Sequence, residues 1–175
     1  MNVGYKVKSK KLYDRGNEAL SYRIEIPQID GIEEINSFYD TVAQECEKYC
    51  NDVLFDSVCK ARRENRRARY SYRFFARVTH LADGLMSVVL FACLREKNEI
   101  VSQYAWAHTW ELENACLLPP SIVCKRVCGA EHGKKRKRAE IEGAFLSGGK
   151  MFNIKNVDIE DILSKSRVKY AVDLQ

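Results

Sequence analysis

The chain has 175 residues, 46% hydrophobic and 30% charged, which is long and apolar enough to bury a core and excludes wholesale disorder. Its net charge of +5, from 29 basic and 24 acidic residues, is a mild excess that bears on solubility and polyanion contacts and not on fold. No apolar run approaches the roughly 18 residues of a membrane-spanning helix, and the seven cysteines form no paired framework.

These features describe one domain over residues 1–175 with reduced thiols. The first residues, MNVGYKVKSKKLYD, are basic and lack the apolar region of a signal peptide, so a cytoplasmic location is expected. Residues 1–18 read as a polar extension with a strand around Tyr5–Leu12 and a turn at Asp14-Arg15-Gly16-Asn17. Leu20–Ile29 alternates, with Tyr22, Ile24 and Ile26 on one side and Arg23 and Glu25 on the other. That pattern is a half-buried strand, and Pro27 points to an edge position or the strand's end.

Asp30-Gly31 opens a long helix. Ile32, Ile35, Phe38, Tyr39, Val42, Cys46, Tyr49, Cys50, Val53, Leu54 and Val58 recur at spacings of three and four, one apolar stripe over about eight turns. Cys46 and Cys50 could ligate a metal at i,i+4, but core packing is the plainer reading of two thiols on an apolar stripe. The helix runs into KARRENRRAR (residues 60–69), read as a solvated, cationic helix end. Arg62, Arg63, Arg66 and Arg67 make a phosphate-binding surface the sharper alternative.

Tyr70–Leu112 holds three aromatic and β-branched runs separated by Asp83-Gly84 and Lys97-Asn98, the signature of an antiparallel meander. The middle run, GLMSVVLFACLR, is apolar on both faces and is expected to be the buried central strand. With two-residue turns, Ala76 faces Phe91, His80 faces Ser87, Phe91 faces Tyr104 and Ser87 faces His108. One face then carries Tyr72, Phe74, Ala76, Val78, Val89, Phe91, Cys93, Tyr104, Trp106 and Trp110, and the helix is expected to pack there. The other carries Met86, Val88, Leu90, Ala92 and Leu94, flanked by Arg73, Arg77, Gln103 and Glu111.

Beyond Pro119-Pro120 a short helix is expected from Pro120 and Ser121 to Gly129, then an exposed KKRKR run (residues 134–138). Short strands follow at Glu140–Leu146 and Met151–Asn156 around Ser147-Gly148-Gly149, and a short helix at Asp158–Lys165. The fold expected is α+β: an antiparallel sheet, a three-strand meander plus short strands, with one long amphipathic helix on one face.

Few residues invite chemistry. His80, Ser87 and His108 fall in one row, and a Ser–His nucleophile pair is conceivable there. The two histidines would lie roughly 10 Å apart, with no orienting carboxylate. Tyr104, Trp106, His108 and Trp110 alternate on one strand and suit either stacking on a sugar or base or a core covered by the helix. Cys124 and Cys128, with Cys116 and His132, form an incomplete zinc pattern. Lys134, Lys135 and Arg136, like the arginines of the 60–69 segment, suit a polyanion. No cofactor or metal fingerprint is present.

The stretch SYRIEIPQIDGIEEINSFYD resembles a domain of unknown function found in RsiV-like anti-sigma factors. Glu25, Pro27, Gln28, Gly31, Ile35 and Asn36 match its strand-to-helix motif, and Phe145-Leu146-Ser147-Gly148-Gly149 matches a later one. Of that family's Gly-Gly-Ala-His segment only Ala107 and His108 have counterparts. The resemblance implies a helix on an antiparallel sheet and a sensing or binding role without catalytic residues. The reading is therefore a non-enzymatic binding or regulatory module for a protein or a cell-wall sugar. A polyanion or nucleic-acid binder is the second reading, and a hydrolase or metal enzyme around His80, Ser87 and His108 the third.

Overall fold

The computed structural model describes residues 1–123, 144–147 and 150–153. Strands β1 (Val3–Asp14) and β2 (Asn17–Ile29) form a hairpin whose turn, Arg15-Gly16, has positive φ at both residues, the geometry that matches the strands' right-handed twist. The expected N-terminal extension is thus a full edge strand. At the end of β2, Asp30-Gly31 reverses the chain with Gly31 at φ 84°, and the Asn36 side chain bonds both the N–H and the C=O of Ile29, at 2.8 and 2.9 Å. That clamp locks the strand end to the helix start.

Helix α1 (Glu33–Lys48), a π-helical segment at Tyr49–Leu54 and helix α2 (Phe55–Ala61) make one rod of 29 residues over β2. It buries Ile35, Tyr39, Ala43, Cys50, Leu54 and Val58. A π turn takes more residues per turn, so it rotates the buried stripe. Tyr49 and Val53, expected on that stripe, are consequently turned out to solvent.

The helix is the crossover that returns the chain to β3 (Tyr70–Ala82), so β2 and β3 pair in parallel while every other pair is antiparallel. With β4 (Leu85–Glu96), β5 (Glu99–Glu111) and β6 (Cys116–Leu118) they form a six-stranded sheet in sequence order. The fold is α+β, as its sequence pattern implies. Pro27 lies past Glu25–Phe75, where the parallel pairing ends, so its missing N–H interrupts no bond to β3. In its place the Tyr5 hydroxyl accepts the Val78 N–H at 3.2 Å.

The meander departs from its expected register. His80 faces Ser87, but a bulge at Thr79 makes Ala76 face Leu90 and Phe75 face Phe91. A second bulge at Val101 makes Phe91 face Ala105, Ser87 face Thr109 and Val88 face His108. Each bulge inserts one residue, and one residue inverts every side chain beyond it. Strand β4 is therefore flipped relative to both neighbours. Met86, Val88, Leu90 and Ala92 pack under the helix with Phe74, Ala76 and Trp110, while Val89, Phe91 and Cys93 lie on the reverse face.

A separate antiparallel pair, β7 (Ala144–Ser147) and β8 (Lys150–Asn153), sits on the reverse face near Ser87, and the expected Gly148-Gly149 turn lies outside the described residues. Residues 120–123 are helical, as expected of that segment. The 158–165 helix expectation lies outside the described residues.

Candidate ligand-binding cleft

The helix lies chiefly over β2, and an apolar cleft opens between it and the exposed half of β5. One compartment, about 380 Å³, is lined by Phe38, Val42, Cys46, Tyr49, Tyr72, Phe74 and Trp106. A second, about 250 Å³, is lined by Tyr49, Leu54, Tyr72, Leu94, Tyr104 and Trp106. Tyr49, Tyr72 and Trp106 belong to both. Tyr49 is 44% exposed, its ring 6.1 Å from that of Tyr72, and Trp106 leans on Phe74 at 5.9 Å.

The π segment is what sets Tyr49 over this cleft, and such insertions recur at functional sites. Periodicity alone places Tyr49 in the buried stripe and carries no sign of the insertion.

The alternating stripe on β5 is split by burial into a surface half and a core half. Tyr104 is 67% exposed and Trp106 37%, whereas Trp110 is 5% exposed. His108 is half-buried against the edges of Phe38 and Tyr39, and Trp110 packs on the same two rings. Burial lowers the His108 pKa, and its Nδ1 is buried without a hydrogen-bond partner. All four side chains belong to one face, but only Tyr104 and Trp106 reach the cleft.

The Ser87–His108 pair is not assembled, because the Val101 bulge puts the two on opposite faces of the sheet, whereas His80 faces Ser87 as expected. Ser87 is fully buried and structural: its hydroxyl meets the Thr109 hydroxyl at 3.1 Å and accepts the Leu146 N–H at 3.1 Å. Cys46 and Cys50 are free thiols whose pKa values burial pushes up to about 11 and about 12, so they stay protonated near neutrality and act as packing. Among the described residues no three His, Cys, Asp or Glu side chains gather as metal ligands. Cys124, Cys128 and His132 lie outside the described residues.

The arginines of the helix end divide similarly. Arg62, expected on a phosphate-binding surface, is buried at 4% exposure. Its guanidinium reaches Asp14 at 3.3 Å and donates to the carbonyls of Glu18 and Ala68. It ties the helix end to the β1–β2 hairpin and has no free donor face for a ligand. Arg63, Arg66 and Arg67 are exposed in the turns that follow. Lys134, Lys135 and Arg136 lie outside the described residues. No helix among the described residues is long and apolar enough to cross a membrane.

No family model matches the sequence, and no curated protein matches it. Among solved structures it is similar to a DUF3298 family protein from Pseudomonas aeruginosa PAO1, with a TM-score of 0.44, 12% identity and coverage of 68% of this chain and 55% of that one. It is also similar to a DUF3298 member from Bacteroides fragilis NCTC 9343, with a TM-score of 0.39, 9% identity and coverage of 78% and 70%. The chain spans about half the length of the first. Both neighbours belong to a family defined as a domain of unknown function.

Proposed function

We infer that this domain is a non-catalytic binding module that takes an extended peptide segment of a protein partner along β5 and into the aromatic cleft beside it. The outer edge of β5 supports this reading. Strand β6 pairs with β5 only at Thr109–Glu111. From Glu99 to His108 the strand has no outer neighbour among the described residues, yet it carries exposed Ile100, Val101, Tyr104 and Trp106.

Proteins normally blunt such an edge with charge, proline or a cover, because its backbone groups recruit another strand. An added strand would find main-chain partners on β5, and every second side chain would meet the apolar cleft. The sequence resemblance to the domain of RsiV-like anti-sigma factors, with its sensing or binding role, agrees with this reading.

Peptides selected from a random displayed library against the folded domain test it. Trp106→Ala is expected to weaken the selected peptide about tenfold or more, as loss of a central aromatic anchor does. Val101→Lys should weaken it by charging the edge, and Arg66→Ala should leave it unchanged. Failure to select any peptide, or chitooligosaccharide binding in the same cleft that Trp106→Ala abolishes, would overturn it.

A further inference from the structure

The reverse face of the sheet carries a basic patch that sequence order does not show. Lys11, Ser21, Ser71 and Arg95 are successive partners in one row across β1, β2, β3 and β4. Ser9, Arg23, Arg73 and Cys93 make the next row. Arg69, two residues before Ser71, adds its charge beside Lys11, whose pKa the hydrogen bond to Glu18 nonetheless holds up. Five cations thus surround three small hydroxyl side chains on one face.

Glu18 and Glu25 answer two of them, Lys11 and Arg23. Among the described residues Glu18 pairs with Lys11 at 2.9 Å. Glu25 is held chiefly by Arg77, at 2.5 Å, with Arg23 further off at 3.5 Å. Arg69 and Arg73 are exposed, with no ion pair among the described residues. Arg23 and Arg73 are direct neighbours on adjacent strands. Like charges so placed repel, and an anion between them removes the penalty.

We propose that this face binds the backbone of a single-stranded nucleic acid, at a site distinct from the aromatic cleft. The four-strand row spans about 14 Å, a width suited to one strand, and the serine floor leaves room for phosphates between the guanidinium groups. The half-buried Phe75 ring, stacked on Phe91 at 5.0 Å in the next row, borders the patch and offers a base an apolar surface. That feature favours nucleic acid over a polycarboxylate chain. The buried Arg62 has no part in the site.

Fluorescence anisotropy with a labelled oligothymidylate of about 15 nucleotides tests the proposal. Binding is expected at low ionic strength, with log K falling against log salt at a slope of about −3 for four phosphate contacts on a single strand. Arg73→Ala should weaken binding and flatten that slope by about 0.7. Arg23→Glu with Arg73→Glu should abolish binding while leaving the circular dichroism spectrum and the thermal midpoint close to those of the parent. Arg66→Ala with Arg67→Ala should change binding little. Absence of binding, a larger loss from the Arg66 and Arg67 substitutions, or equal displacement by polyglutamate would each overturn it.

Discussion

The Trp110 indole N–H donates to the Tyr39 hydroxyl at 3.0 Å, joining the last turn of β5's aromatic stripe to the middle of α1. Both side chains are buried, and Phe38 packs edge-on against each of them. This bond decides how the stripe is used. It anchors Trp110 as core, whereas Trp106, four residues earlier, lies where the helix has moved off the sheet and a cleft opens.

Trp110→Phe leaves the buried Tyr39 hydroxyl without its donor and is expected to cost about 1–3 kcal/mol. Tyr39→Phe should cost a similar amount. The double variant should cost clearly less than the sum of the two, because the pair shares one bond. Urea unfolding of all four proteins reads the coupling, and strict additivity would show that the bond contributes nothing.

Arg62 and Arg63 are neighbours in sequence with opposite roles. Arg62→Ala removes a buried cation that serves Asp14 and two carbonyls, and a loss of about 3–5 kcal/mol is expected. Arg63→Ala, on an exposed turn, should stay within about 0.5 kcal/mol of the parent. Equal unfolding midpoints for the two variants would contradict the buried hairpin tie.

Burial lowers the His108 pKa. The unfolded imidazole ionises near pH 6.5 and the folded one only at lower pH, so the unfolded state binds more protons as pH falls below that value. Stability is therefore full above about pH 6.5, falls as pH drops, and levels once folded His108 is also protonated. His108→Phe keeps an aromatic ring against Phe38 and removes this titration. Its stability measured from pH 7.5 down to 5, by the urea midpoint at each step, should decline less than the parent's.

Ser87→Ala should destabilise by about 1–2 kcal/mol by leaving the Leu146 N–H and Thr109 without their partner. Faster hydrogen exchange at Leu146 is the local signature. A fluorophosphonate probe should label neither the parent nor the variant, since Ser87 is fully buried and its hydroxyl is engaged by Thr109 and Leu146.

Much of the framework was legible because turns and periodicity are local properties. The Asp83-Gly84 turn, the alternation of Tyr22, Ile24 and Ile26, and the helix that follows Asp30-Gly31 all stand where the residues imply. The parallel β2–β3 pair was not among the expectations, which had the sheet antiparallel throughout; it arises because the helix carries the chain back so that β3 runs beside β2 in the same direction. The candidate site was half legible: Tyr104 and Trp106 stood out as an aromatic alternation, whereas Tyr49 and Tyr72, which complete the cleft, did not.

What only the tertiary structure decided is which side of each element faces what. The run from Leu85 to Leu94 is apolar on both sides, so nothing in it opposes a one-residue slip, and the bulges at Thr79 and Val101 leave no local trace. Those two residues send β4's even positions under the helix, part Ser87 from His108, and bring Arg95 onto the reverse face with Arg23 and Arg73. The π segment does the same for Tyr49, and a carbonyl cage does it for Arg62. The sequence by itself determined the elements and the faces whose polarity is one-sided. Side-chain placement on faces of uniform polarity waited on packing, because burial there costs the same for either register until the rest of the chain has closed around it.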